Sequence, residues 1–202
     1  MKPWLSAPFL LALSLHAGAA SPDDPVDIGA TADYFLQTLD QACKQTSVPG
    51  PAAASDEAET QALMAGLMRD LSCTCGPRAL QIAYPAAART GSTTSGAFMV
   101  RFSGAMNACL ARSVRRVVDA PCGRNVDPFA DGTPSSPAVA QARCRCARKE
   151  LDKAASTDPR MDADAASARY TAGEAAPERW PPFIVMMDAV EKTCSSVLPQ
   201  KR

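Results

Sequence analysis

Eight cysteines carry most of the chemistry this sequence offers: Cys43, Cys73, Cys75, Cys109, Cys122, Cys144, Cys146 and Cys194. They run in the order C…CxC…C and then C…CxC…C again. An even set of this kind in an exported chain forms a disulfide frame. A CxC pair can also act as a redox dithiol, but that requires a setting that lowers a thiol pKa, and no thioredoxin-like βαβ pattern surrounds either pair. Paired CxC motifs can hold zinc in a site of four thiolates, yet thiols in an oxidising compartment are oxidised first. The structural reading of all eight is the one the pattern favours.

Other reactive side chains are sparse. The single histidine, His16, falls in a segment expected to be removed on export. A mature chain without imidazole excludes the Ser-His and Cys-His nucleophile pairs and the usual proton shuttle. Carboxylates Asp158, Asp162, Asp164, Glu174 and Glu178 crowd one polar stretch. Paired acids cleave glycosidic bonds and oxygen-rich loops bind calcium, but these acids match no calcium-loop spacing. Two basic groups, Arg112, Arg115 and Arg116 on one helix and Arg143, Arg145, Arg148 and Lys149 on another, read as solvated faces with Glu150 and Asp152 nearby. Arg115 and Arg116 remain candidate interface residues for an acidic partner. Trp180, beside Pro181-Pro182, is a third candidate interface residue, since aromatic side chains at loop–helix junctions anchor contacts. No cofactor and no metal ion is expected.

These residues must be positioned by helices, because apolar residues recur at helical spacing and no segment alternates like a strand. Phe35, Leu36, Leu39 and Cys43 share one face, and Leu63, Met64, Leu67, Met68 and Leu71 another. Ser55 is expected to cap the second of these helices, and Gly76-Pro77 to kink or end it. Phe98, Phe102, Met106, Leu110 and Val117 mark the clearest helix, expected to run to about Val118. Pro121 to Ser135 reads as a connection that contains Cys122. Ser136-Pro137 forms a cap and first-turn pair opening a helix through Cys144 and Cys146. The 157–181 stretch is expected to hold one short helix around Ala163 to Tyr170. A last helix starts at Pro182.

Two positions apart on an α-helix is a rotation of about 200°, so the sulfurs of a CxC face opposite flanks. They are placed to bridge two different neighbouring helices and not each other. Cys73 and Cys75 are therefore expected to take Cys43 and Cys109, and Cys144 and Cys146 to take Cys122 and Cys194, with the order inside each set left open. The repeated cysteine order, supported by Leu80 and Leu151 five residues after each CxC, suggests an internal duplication.

Composition and the N-terminus set the compartment. Met1-Lys2, the apolar run Phe9 to Leu15 and the small residues Ala17-Gly18-Ala19-Ala20 have the layout of a cleaved signal peptide. The formal net charge is +0, which gives no reason to expect nucleic acid or an anionic membrane as partner. No later segment is long and apolar enough to anchor the chain in a bilayer. The expected organisation is a signal peptide over 1–20, a flexible lead-in over 21–30, a first C…CxC…C unit over 31–119 and a second over 120–202. The fold class is all-α, two disulfide-stapled three-helix units with six or seven helices.

With these motifs in place, the chain resembles small exported helical proteins of Gram-negative bacteria that carry one C…CxC…C unit, here in tandem. The resemblance implies a periplasmic or secreted location and brings no activity with it. The leading expectation is a non-catalytic periplasmic binding protein, an inhibitor or immunity factor for an envelope-acting enzyme, whose partner is another exported or envelope protein. The alternatives are a thiol-disulfide oxidoreductase using a CxC pair and a carboxylate-based hydrolase.

Overall fold

The computed structural model describes residues 21–46, 56–130, 135–174 and 182–196. The chain is mostly helical, as the sequence pattern predicts. It runs β1 (Pro25–Asp27), α1 (Ile28–Gln45), α2 (Asp56–Asp70), a π-helical segment (Leu71–Cys75) and α3 (Gly76–Ala83). There follow a 3-10 turn (Ala86–Ala88), β2 (Ser92–Thr94), α4 (Ser95–Gly123), α5 (Pro137–Ala155), α6 (Pro159–Thr171) and α7 (Pro182–Cys194). The two short strands pair antiparallel, with Val26 opposite Thr93. Three residues each are too few for alternation to show in the sequence.

Helix starts follow capping chemistry. Asp27 ends β1 and accepts from the Ala30 N–H, while Thr94 ends β2 and accepts from the Ala97 N–H. Ser136 caps α5 ahead of Pro137, as expected, and Asp158 caps α6. The Ser55 cap proposed for α2 lies outside the described residues. The lead-in over 21–30, expected to be flexible, is hydrogen-bonded along its length. Ser95 N–H donates to Asp24 O, Gly96 N–H to Pro22 O and Ile28 N–H to Gly91 O. Pairing with the turn before α4 satisfies backbone groups that a free tail would leave to water.

Helix α4 is the axis of the fold. Phe98, Phe102, Met106, Leu110, Val114 and Val118 form an unbroken i, i+4 row, each fully buried. Burying side chains of this size contributes roughly 1.5–3 kcal/mol apiece. Phe35 from α1 packs its ring 5.6 Å from both Phe98 and Phe102, and Tyr84 stacks on Phe98 at 4.5 Å. From the other half, Leu151, Ala163 and Val190 join the same core cluster.

Three sequence expectations change here. Of the two outcomes expected at Gly76-Pro77, a kink or an end, the helix does not end: the chain widens into a π turn in which Gly76 N–H bonds Leu71 O, and α3 follows directly. A proline lacks one donor, and a wider turn just before it absorbs that loss. Second, α4 runs past Val118 and Pro121 to Gly123, so Cys122 is helical. The boundary expected at 119/120 therefore falls inside one helix, and the two three-helix sets share α4. Third, the short helix expected near 163–170 is α6, which spans Pro159–Thr171.

Candidate functional site

Disulfides join Cys43 to Cys73, Cys75 to Cys109, Cys122 to Cys144, and Cys146 to Cys194. Each bond stays within the set anticipated from CxC geometry. In sequence order the cysteines pair first with second, third with fourth, and so on. Cys73 and Cys75 tie the α2–α3 rod to α1 on one flank and to α4 on the other. Cys144 and Cys146 tie α5 to α4 and to α7. The result is a sulfur-linked series of α1, α2–α3, α4, α5 and α7, with α4 at its centre. All eight sulfurs are bonded, and neither CxC closes on itself. Four disulfides place the folded chain in an oxidising, non-cytoplasmic environment.

The arginine rows are resolved into inter-helix struts. Arg115 on α4 pairs with Asp119 at 3.0 Å and with Asp152 on α5. Arg148 on α5 reaches the other Asp119 oxygen at 2.7 Å. Arg116 pairs with Asp70 at the end of α2, and Asp70 also accepts from the Ser113 hydroxyl at 2.7 Å. Arg124 pairs with Glu59. Arg115 and Arg116 are thus neutralised by carboxylates of neighbouring helices, and they do not form a continuous cationic patch. Trp180, Glu178 and His16 lie outside the described residues.

The acids of the 157–181 stretch are dispersed by α6. Asp158 caps it, Asp162 accepts from the Thr157 hydroxyl at 2.5 Å, and Asp164 pairs with Arg101 at 2.8 Å. Among the described residues no three His, Cys, Asp or Glu side chains converge as a metal site. No described helix is long and apolar enough to cross a membrane.

One buried ionic centre has no counterpart in the sequence reading. Asp127, its side chain 1 % exposed, meets Arg143 at 2.6 Å and accepts from the Ser135 hydroxyl at 2.6 Å and the Phe129 N–H at 3.0 Å. Burial pushes the Asp127 carboxyl up, but those three donors and the Arg143 charge outweigh it, and its pKa lies below the ordinary aspartate value. Arg143 also donates to the Ser195 carbonyl at 3.0 Å, fastening the end of α7, while its Nε is buried with no hydrogen-bond partner among the described residues. The centre joins Asp127, Phe129 and Ser135 to α5 and, through Ser195, to the end of α7. The sequence cue was slight: Asp127 is one of two aspartates, with Asp131, in the Pro/Gly/Asp-rich 121–135 stretch.

Among the described residues, two of the open surface grooves combine apolar and charged side chains. One, about 480 Å³, lies between α2 and α4, with Leu63, Leu67 and Val117 inside and Arg69, Asp70 and Arg116 along it. The other, about 520 Å³, lies between α5, α6 and α7, with Val185, Met186 and Val190 inside and Glu150, Lys153 and Arg169 along it. Both mix apolar floors with charges of both signs. No family model, no curated protein and no solved structure matches the chain.

Proposed function

We propose that this chain is a non-catalytic binding protein of the periplasm or cell exterior, an inhibitor or immunity factor for an envelope-acting enzyme. The observation that carries the reading is the use of both CxC motifs as paired inter-helix bridges. They link four other rods to α4 in one covalent series, and they tie α2–α3 to α4 beside the first amphipathic groove and α5 to α7 beside the second. A scaffold fixed before contact loses little freedom on binding a partner, which favours affinity. The signal-peptide layout of residues 1–20 and the resemblance to exported helical C…CxC…C proteins support the compartment. The tandem cysteine order supports an origin by duplication.

The test is stoichiometric titration of the oxidised protein against a panel of peptidoglycan-cleaving and other envelope hydrolases. The reading expects one enzyme to lose activity at an equimolar ratio, with a complex visible by size-exclusion chromatography. Turnover of polysaccharide by the protein itself, or catalytic reduction of a disulfide substrate, would replace it.

A further inference from the structure

We infer that the cleft where α3, α4 and the start of α6 meet binds a small organic carboxylate. The cleft encloses about 130 Å³, well under the roughly 300–1,000 Å³ of pockets for drug-sized ligands. Ala79, Ala105, Ala108 and Cys75 are its buried floor, and Arg78 and Arg112 are its exposed rim. No acidic residue is among those lining it.

The two arginines differ from most others in this protein. Arg89, Arg101, Arg115, Arg116, Arg124, Arg143 and Arg148 each meet a carboxylate. Among the described residues, Arg78 has no hydrogen-bond or ion-pair partner. Arg112 donates one N–H to the Ala155 carbonyl at 3.2 Å. That bond holds its guanidinium at the end of α5, and among the described residues no carboxylate pairs with it. The acids next to the Thr157–Pro159 edge are engaged locally: Asp158 accepts from the Arg160 N–H at 2.8 Å and Asp162 from the Thr157 hydroxyl at 2.5 Å.

Two like charges at one mouth repel each other, and an anion between them relieves both. Guanidinium groups match the two oxygens of a carboxylate. The floor of methyl groups and disulfide sulfur gives a hydrated inorganic anion nothing to bond, whereas a short hydrocarbon stem gains from leaving water. The ligand class is therefore a carboxylate on a stem of a few carbons. This assignment stands apart from the partner enzyme proposed above.

The test is an NMR titration of the oxidised protein with sodium butanoate, inorganic phosphate and butan-1-ol, read at the methyls of Ala79, Ile82, Ala105 and Ala108. Butanoate should give saturable shifts at these methyls, with affinity at least about tenfold above that of phosphate or butanol. The double variant Arg78→Gln/Arg112→Gln should lose about tenfold or more, while Arg145→Gln, exposed on α5 away from the cleft, should bind as the parent does. Arg78→Gln alone, a change at an exposed side chain, should weaken binding in a protein whose spectrum otherwise stays that of the parent. The inference is overturned by no saturable shift at tens of millimolar butanoate, by equal binding of phosphate or butanol, or by undiminished binding in the arginine variants.

Discussion

Cys109 and Cys122 lie on the same helix and carry bridges in opposite directions, Cys109 back to Cys75 and Cys122 forward to Cys144. The two cysteine sets are therefore joined through a rigid element, and one core cluster runs across both. We expect heat unfolding of the oxidised protein to be a single transition, with calorimetric and van't Hoff enthalpies equal. Replacing Cys75 and Cys109 together by Ala opens a loop with a sequence separation of 34, which the chain-entropy relation values at about 4 kcal/mol. Replacing Cys122 and Cys144 opens one of 22, worth about 3 kcal/mol. Urea unfolding of the two double variants measures both losses. Two resolved transitions in the parent would show that the halves fold separately.

Asp127 and Arg143 form the buried ion pair, so Asp127→Asn should cost about 3 kcal/mol by leaving the Arg143 charge unmatched. The sign of the pH dependence follows from the lowered carboxyl pKa. A depressed acid contributes stability that is fully present above its unfolded value, 3.8 for aspartate, and that disappears as pH falls through the lower folded value. Denaturation of parent and variant across pH should therefore show a constant gap near neutrality. The gap should close only in strong acid. A gap that closes between pH 5 and 7 would point to a different group.

The cysteine logic was legible because it rests on a local rotation: Cys144 and Cys146 cannot face the same neighbour on one helix, whatever surrounds them. The α4 row was legible as far as Leu110, but the reading put Val117 on the face whose last two turns are filled by Val114 and Val118. The Asp127–Arg143 clamp was not legible, because its partners are 16 residues apart and the Pro/Gly/Asp-rich stretch that holds Asp127 reads only as a connection. Helix α6 was underestimated because it buries only Ala163 and Ala166, residues too common in this chain to mark a face. Arg115 and Arg116 read as surface charge. Their role as struts depended on which helices flank α4, and that is a matter of tertiary packing. The Arg78–Arg112 cleft was hidden for the same reason, as its rim comes from two different helices.

Tyr84 stacks on Phe98 and donates its hydroxyl to the Phe98 carbonyl at 3.3 Å. Burial pushes its pKa up to about 12, against a smaller opposing pull from Arg101. A raised value on an acid means that its protonated form is the one the fold holds. Its contribution is complete below the ordinary tyrosine value of 10.0 and is lost as pH rises through about 12. Spectrophotometric titration of the folded protein should show one phenol ionising near that upper value, and Tyr84→Phe should remove that step. The variant should lose only about 1 kcal/mol, since the ring stack survives.

Two glycines inside helices separate backbone propensity from packing. A Cβ at Gly66 on α2 would meet nothing within 4 Å, whereas one at Gly104 on α4 would stand 2.8 Å from the Asp162 carbonyl and 3.0 Å from Ala163 Cα. Glycine to alanine in a helix interior gains about 0.8–1.0 kcal/mol from propensity alone, so Gly66→Ala should stabilise by nearly that much. At Gly104 the same gain is opposed by the backbone of α6, which cannot yield as a flexible side chain would. Overpacking of this kind costs about 1–3 kcal/mol, enough to reverse the sign. We expect Gly104→Ala to lower the melting temperature and Gly66→Ala to raise it. If both substitutions stabilise, α4 and α6 do not approach as closely as this geometry requires.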